Sequence, residues 1–229
     1  MLGVAGLTAG VTTVTFNVGE DGQWQPNSVA GANPAGGPLI FRMYAAGGNG
    51  GLPEEGIGGA GGGGGALLIG EIASWSASER FDITIAPGGQ NNGATRIQRQ
   101  STLDAAGPHN GGDAAGIVPG FGAEDYDNDN SLLTNVALRA GANGASVGGA
   151  IAAGGGSSGS IDGDGQTPIG QSGGIAVSAD GGNGGEGGDG DIGQGGYVPG
   201  GGAGGTAEPS FEFASGGGGR IVILVPTLT

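Results

Sequence analysis

The stretch GGNGGEGGDGDIG, residues 181–193, divides into the triplets GGN, GGE, GGD and GDI, the first three carrying two glycines each. Glycine loses more backbone freedom on ordering than any other residue, about 0.5–1 kcal/mol relative to alanine in regular structure. Such a segment either never orders or gains something from presenting no side chains. Residues 58–66, GGAGGGGGA, keep the same phase, and GANGAS at 141–146 is a shorter piece of the same kind. A period of three belongs to the polyproline II family, which has no internal hydrogen bonds. Strands of that kind packed side by side can pair N–H and C=O groups laterally and add Cα–H contacts, provided nothing bulkier than hydrogen faces the neighbours. The glycines are then the packing surface, and the third residue of each triplet, Asn183, Glu186 and Asp189, points outward.

Other interpretations of the glycine tracts fit less well. Collagen needs glycine at every third position with abundant proline, and the chain has 11 prolines, few of them in the triplets. A calcium-binding solenoid needs repeats of GGxGxDxUx. GGEGGDGDI at 184–192 puts Asp191 where the large apolar residue belongs, and no second copy appears. A disordered linker is the plainest alternative. Against it, the tracts lie between strand-like runs and end abruptly at apolar residues.

Those runs predict strands. VTTVTFNV, residues 11–18, sets Val14, Phe16 and Val18 on one face and Thr13, Thr15 and Asn17 on the other, a period of two. PLIFRMYAA (38–46) runs directly into GGNGG, and ALLIGEIA (66–73) follows the longest glycine tract. RFDITIAPGG (80–89) alternates Phe81, Ile83 and Ile85 against Asp82 and Thr84, and SLLTNVALRA (131–140) reads as a strand or a short helix. IAVSA (175–179) and FEF (211–213) read as short extended pieces. RIVILVP (220–226) is the continuous, β-branched run expected of a central strand. No segment holds a helical period for more than two turns. The expected fold is therefore mainly β and irregular, with almost no α-helix. Short strands form a small sheet, beside packed polyglycine II helices in a glycine-rich sandwich. Residues 1–46 form an N-terminal β region able to serve as a docking part, 47–219 the glycine-rich region with inserted loops, and 220–229 the closing strand, all in one structural unit.

The chain has six basic residues, all arginine, against 21 Asp plus Glu, for a formal net charge of −15. Nucleic acids and anionic membranes need basic patches, so neither is an expected partner. Such a balance suits solubility and a medium of high salt or divalent cations, where screening relieves self-repulsion. Cysteine is absent, which removes disulfide and thiolate chemistry. No run approaches the roughly 18 apolar residues that span a bilayer, so membrane insertion is not expected. The start MLGVAGLTAGVTTV lacks the basic and long apolar regions of a secretion signal; release by cell lysis, as for virion parts, is the expected route outside.

The order AGGNGG, GGAGGGGGALLIGEI, DITIAPGG, NNGATRI, GGNGGEGGDG and GGGGRIVILVP resembles the glycine-rich domain of bacteriophage tail-fibre proteins. The resemblance runs from about Pro38 to Val225, with Gly93, Ala94 and Thr95 at the family's G-x-T turn. It is similar in particular to the tip adhesins of T-even-like phages, and implies a stacked polyglycine II sandwich whose loops at one end meet the host receptor. The implied function is a virion appendage, a tail fibre or tail-tip adhesin on the exterior of the particle. Its implied partners are other virion proteins and a bacterial surface receptor, an outer-membrane protein or a glycan, and it is expected to be oligomeric within the virion. The alternative is a capsid decoration or head-fibre protein. That protein would dock through Val14, Phe16 and Val18 of the first strand, together with Leu2, Val4 and Leu7.

The segment 108–133, PHNGGDAAGIVPGFGAEDYDNDNSLL, is the richest candidate loop. Its His109, Phe121, Asp125, Tyr126 and Asp127, with Tyr197 of GYVPG, are the candidate receptor-binding residues, because recognition concentrates on loops carried by rigid scaffolds. Asp125, Asp127 and Asp129 begin a calcium-loop pattern, but Asn130 and Val136 stand where that loop needs Gly and Glu. A partial calcium site completed by Glu124 or another loop is the only metal expectation, and no other cofactor is expected. Asp162 and Asp164 are a weaker pair. With no cysteine, no lysine and a single histidine, the chain is not expected to be an enzyme.

Overall fold

A computed structural model describes residues 9–89, 94–146, 148–207 and 212–228. Leu2, Val4, Leu7, Gly93 and Phe211 lie outside the described residues. Two antiparallel five-stranded sheets make the apolar part of the molecule. The first has the order β1-β10-β3-β4-β9, with β1 at Ala9–Asn17, β3 at Leu39–Tyr44, β4 at Leu67–Ile72, β9 at Thr134–Arg139 and β10 at Arg220–Leu228. The second has the order β2-β5-β6-β7-β8, with β2 at Gly22–Trp24, β5 at Phe81–Thr84, β6 at Arg96–Arg99, β7 at Ala105–Pro108 and β8 at Tyr126–Asn128.

Alternation decides which side chains meet between the sheets. Leu39, Phe41 and Met43 of β3 and Ile221, Ile223 and Val225 of β10 face inward, against Phe81, Ile83 and Ile97 of the second sheet. Phe81 ties the layers together, its ring centroid 5.8 Å from Phe41 and 5.9 Å from Trp24. The mainly β expectation is met, with the strands divided between two sheets. SLLTNVALRA forms a strand preceded by a 3₁₀ turn at Asp129–Ser131. Residues 175–176 end a polyglycine II helix and 177–179 form a bend and turn, so 175–179 make no strand.

The glycine tracts are ordered, and their hydrogen bonds repeat every third residue. In helix PG2, residues 58–66, the amides of Gly59, Gly62 and Gly65 donate to Thr206, Ala203 and Gly200. Those of Ala60 and Gly63 donate to Gly116 and Gly112, and those of Gly61 and Gly64 to Ala145 and Ala142. Its carbonyls accept with the same period. Gly59, Gly62 and Gly65 take the amides of Ala153, Gly156 and Gly159; Ala60, Gly63 and Ala66 those of Gly51, Gly48 and Ala45; Gly61 and Gly64 those of Gly120 and Ala123. PG2 is thus ringed by PG1 (45–51), PG3 (110–114), PG4 (119–123), PG5 (140–145), PG6 (152–159) and PG11 (200–207). This is the hexagonal packing of polyglycine II.

The lattice continues the sheets. β3 runs into PG1, PG2 into β4, β9 into PG5, and PG12 (214–219) into β10, so the row β10-β3-β4-β9 becomes the row PG12-PG1-PG2-PG5. The rung Tyr44↔Leu67 of the β3–β4 ladder is followed by Ala45 N–H to Ala66 O at 2.9 Å, then Gly48 to Gly63 and Gly51 to Ala60. The β7–β8 pair passes into PG3–PG4 in the same way, with Gly112 donating to Phe121. Two further rows have no sheet of their own: PG11, PG6 and PG7 (163–168), then PG10 (193–197), PG9 (181–188) and PG8 (171–176). Along PG9 and into the turn that follows it, every third residue, Asn183, Glu186 and Asp189, is exposed while the glycines between are buried, as the triplets predict.

A Cβ built on Gly48, Gly59, Gly61, Gly62, Gly63, Gly64 or Gly65 would sit far inside van der Waals contact of a neighbour's carbonyl. Buried Ala60, Ala203 and Ser158 mark corners where a Cβ is admitted. One carboxylate pins the sheetless rows to the sandwich. Asp180 accepts from Tyr44 Oη at 2.5 Å, Ile161 N–H at 3.0 Å and Ser178 Oγ at 2.5 Å. Burial raises the Asp180 pKa, but these hydrogen bonds outweigh it and hold the carboxyl below its ordinary value of 3.8. Burial first, then the bond to Asp180, pushes the Tyr44 phenol well above its ordinary range, against the pull of Arg42 and Arg220.

Gly62→Ala is expected to destabilise the protein by about 3 kcal/mol in urea unfolding, because the neighbour it strikes is backbone. Gly149→Ala, where a Cβ meets nothing within 4 Å, should change stability by no more than about 0.5 kcal/mol. Asp180→Asn should cost about 1 kcal/mol at pH 7, the low end for a charged hydrogen-bonded group, since Asp180 is half-exposed. Because the folded pKa is depressed, this contribution is full above the unfolded value and is lost as pH falls through the folded one. The two proteins should therefore converge in stability as pH falls below the ordinary carboxylate range, which urea unfolding across pH checks.

Candidate functional site

Several consecutive lattice helices are joined by short connections, and the hydrogen-bond levels place the connections away from the sheets together. Gly58 bonds Gly149, Ala60 bonds Gly116, Ala152 bonds Gly188 and Gly154 bonds Gly170, so the turns beyond these levels share one end of the molecule. They are the PG1–PG2 connection with Glu54, Glu55 and Ile57, the PG3–PG4 turn at 115–118, and the PG5–PG6 connection ending in Ile151. The PG7–PG8 turn at 169–172 and the PG9–PG10 turn at 189–192 complete the group. The described ends of the PG11–PG12 connection, Ala207 and Glu212–Phe213, lie there too. Four-residue bridges close three of these turns, Glu54↔Ile57, Ala115↔Val118 and Ile169↔Ser172. Reversal in so short a span needs left-handed backbone, supplied by Gly56 (φ 82°) and Gly170 (φ 61°).

These tips carry apolar side chains in solvent. Ile57, Val118, Ile151, Ile192 and Phe213 are exposed, and Ile169 is 88 % exposed. Phe121, 72 % exposed on PG4, stands beside Ile169 across a groove of about 470 Å³ lined also by Pro119, Asn143, Thr167 and Pro168. Basic charge is confined along the same axis, while acids occur at both ends. All six arginines, Arg42, Arg80, Arg96, Arg99, Arg139 and Arg220, lie on the sheets or beside them, whereas the lattice carries acids and, as its one titratable base, His109. Glu54, Glu55, Glu186, Asp189 and Asp191 surround the tips.

The residues singled out in the sequence do not form one site. The segment 108–133 is not a single loop: it supplies PG3, a distal turn, PG4 and strand β8, because β7–β8 pairing continues into the lattice. Tyr126 and Asp127 are on β8, an edge of the second sheet, with Tyr126 partly packed on the core. His109, just past β7, has Nε2 3.4 Å from Asp127 Oδ1, and Asp125 Oδ1 accepts from the Tyr126 amide at 2.8 Å. Phe121 lies on the flank near the tips, and Tyr197 is exposed at the opposite, sheet-facing end of PG10. Among the described residues no group of three His, Asp or Glu side chains is placed to hold a metal, so Asp125, Asp127 and Asp129 do not come together as a calcium site. Asp164 is engaged by the Ala140 amide at 2.9 Å. Val14 and Phe16 are partly buried against their own core, and Val18, beyond the end of β1, is exposed.

Sequence reasoning passed over the tip residues Ile57, Ile151, Ile169 and Ile192. Their signal is a lone isoleucine at each break in the triplet phase, as in EEGI, GGAI, TPIG and GDI. No family model matches the chain, and no curated protein matches it either.

Ile169→Ser and Phe121→Ser should each leave stability within about 0.5 kcal/mol of wild type in thermal unfolding followed by circular dichroism, since neither side chain is part of the packed interior.

Proposed function

We propose that the chain is a virion appendage protein of a bacteriophage, a tail fibre or tail-tip adhesin, that holds a bacterial surface receptor by contact and without chemistry. One observation carries this reading: exposed apolar side chains sit in turn after turn at one end of a rigid lattice, the end farthest from the sheets. Clustered exposed apolar groups rimmed by polar ones are a feature of interaction surfaces. Loops carried by a fixed scaffold also lose little conformational entropy on binding. The acids Glu54, Glu55, Glu186, Asp189 and Asp191 around the tips favour a receptor surface that is neutral or basic over a polyanion. The sheet end then faces the particle.

Purified protein added to host cells should block adsorption of the phage that carries it. The triple variant Ile57→Ser, Ile151→Ser, Ile169→Ser should need at least about tenfold more protein for the same block, a loss of about 1.4 kcal/mol in binding. Gold-labelled antibody on intact particles should mark the tail tip. Label over the head, or equal blocking by the triple variant, would count against the proposal.

A further inference from the structure

Strand β1 is an edge strand whose outer side is built to pair. It lies on β10 over its whole length, from Ala9↔Leu228 to Asn17↔Arg220, and among the described residues no strand lies on its other side. The direction of its backbone groups follows from its ends. The Asn17 amide donates to Glu20 Oε2 at 2.6 Å and the Asn17 carbonyl accepts from Glu20 N–H at 3.0 Å, so Asn17 turns away from β10. At the other end Pro226 and Leu228, the partners of Val11 and Ala9, bond Asn33 and Gly31 instead of β1. Both observations fix the same parity: Val11, Thr13 and Thr15 direct their N–H and C=O groups outward.

Natural edges are blocked by charge, proline, a bulge or shortness. AGVTTVTFN has none of these; it spans nine residues with no charged side chain and no proline, and Val11 is 64 % exposed. Glu20 and Asp21 follow the strand and the Glu20 carboxylate closes its outward edge at Asn17, so the stretch free to pair is the uncharged run from Val11 to Thr15.

We propose that β1 pairs antiparallel with β1 of a second copy about a two-fold axis through Thr13, joining the two β10-containing sheets into one. This does not rest on the adhesin reading. The register is self-complementary: Thr13 faces Thr13, and Val11 faces Thr15 in both directions. All three are outward-bonding pairs, so each exchanges both of its hydrogen bonds. On the solvent face this stacks Thr on Thr and Val on Thr, pairs that suit a sheet. On the core face Phe16 meets Gly10 and Val14 meets Thr12 of the second copy, which covers apolar side chains now only partly buried against their own core.

Sedimentation equilibrium of the 229-residue chain should give twice the 21.5 kDa chain mass at micromolar concentration. Thr13→Lys and Thr13→Glu each place like charges across the axis and should weaken the dimer at least about tenfold, while an equimolar mixture of the two should restore it. Thr13→Pro removes an outward amide without touching the β10 ladder and should also give monomer. A monomeric wild type overturns the proposal, whether its Thr13 amide exchanges freely or is covered by the chain's own first residues or by a strand of another protein. So does a dimer that persists in both charged variants, or a mixture that stays monomeric.

Discussion

A lateral hydrogen bond that closes only when no Cβ intervenes sets the terms for this structure. In a sheet each strand bonds two neighbours with a period of two. In the glycine lattice each helix bonds its neighbours in turn with a period of three, and PG2 engages all of those around it. The magnitudes explain why the lattice leans on the sheets. Fixing the backbone of one residue costs about 1–2 kcal/mol, most for glycine, and a typical hydrogen bond returns a net of about 0.5–1.5 kcal/mol. A lattice of such bonds is close to balance by itself. The sandwich, with Phe41, Phe81 and Ile223 buried, supplies the hydrophobic surplus. It also supplies register, because the β3–β4 ladder leads directly into the bond from Ala45 to Ala66 and fixes every rung after it.

That coupling has a functional consequence. A lattice held by backbone bonds places few demands on the residues in its turns beyond a left-handed glycine. Ile57, Ile151 and Ile169 therefore stand at the surface without cost to the fold, which leaves them available to the recognition proposed above. The third residue of each triplet along the outer helix PG9 and into the turn after it is equally free, and Asn183, Glu186 and Asp189 are polar and exposed there. The arginines and, among the described residues, the open edge of β1 lie at the sheet end.

Much of the fold was legible because its periods are clean. The triplets of 181–193 announced both the lattice and its exposed positions, and β1, β3, β4, β5 and β10 carry strand patterns of their own. β2, β6, β7 and β8 did not show, because GQW, RIQR, AAGP and YDN are three or four residues long and owe their extended form to a neighbour's ladder rather than to apolar alternation. Asp125, Asp127 and Asp129 looked like ligands for the same reason. Their alternation is that of an edge strand with its acids in solvent, entering a 3₁₀ turn at Asp129. The tips were hidden because each contributes one isoleucine from a distant part of the chain, and only the lattice brings them to one end.

Amide hydrogen exchange of Gly59, Gly61, Gly62, Gly63, Gly64 and Gly65, read residue by residue by NMR, is the most direct test of an ordered lattice. Each of these amides donates to a backbone carbonyl of another helix. They should exchange as slowly as those of Phe41 and Ile223 in the sheet, opening only with global unfolding. Exchange at the rate of unstructured chain, with the sheet amides still protected, would mean that the glycine tracts are solvated linkers and that no lattice exists.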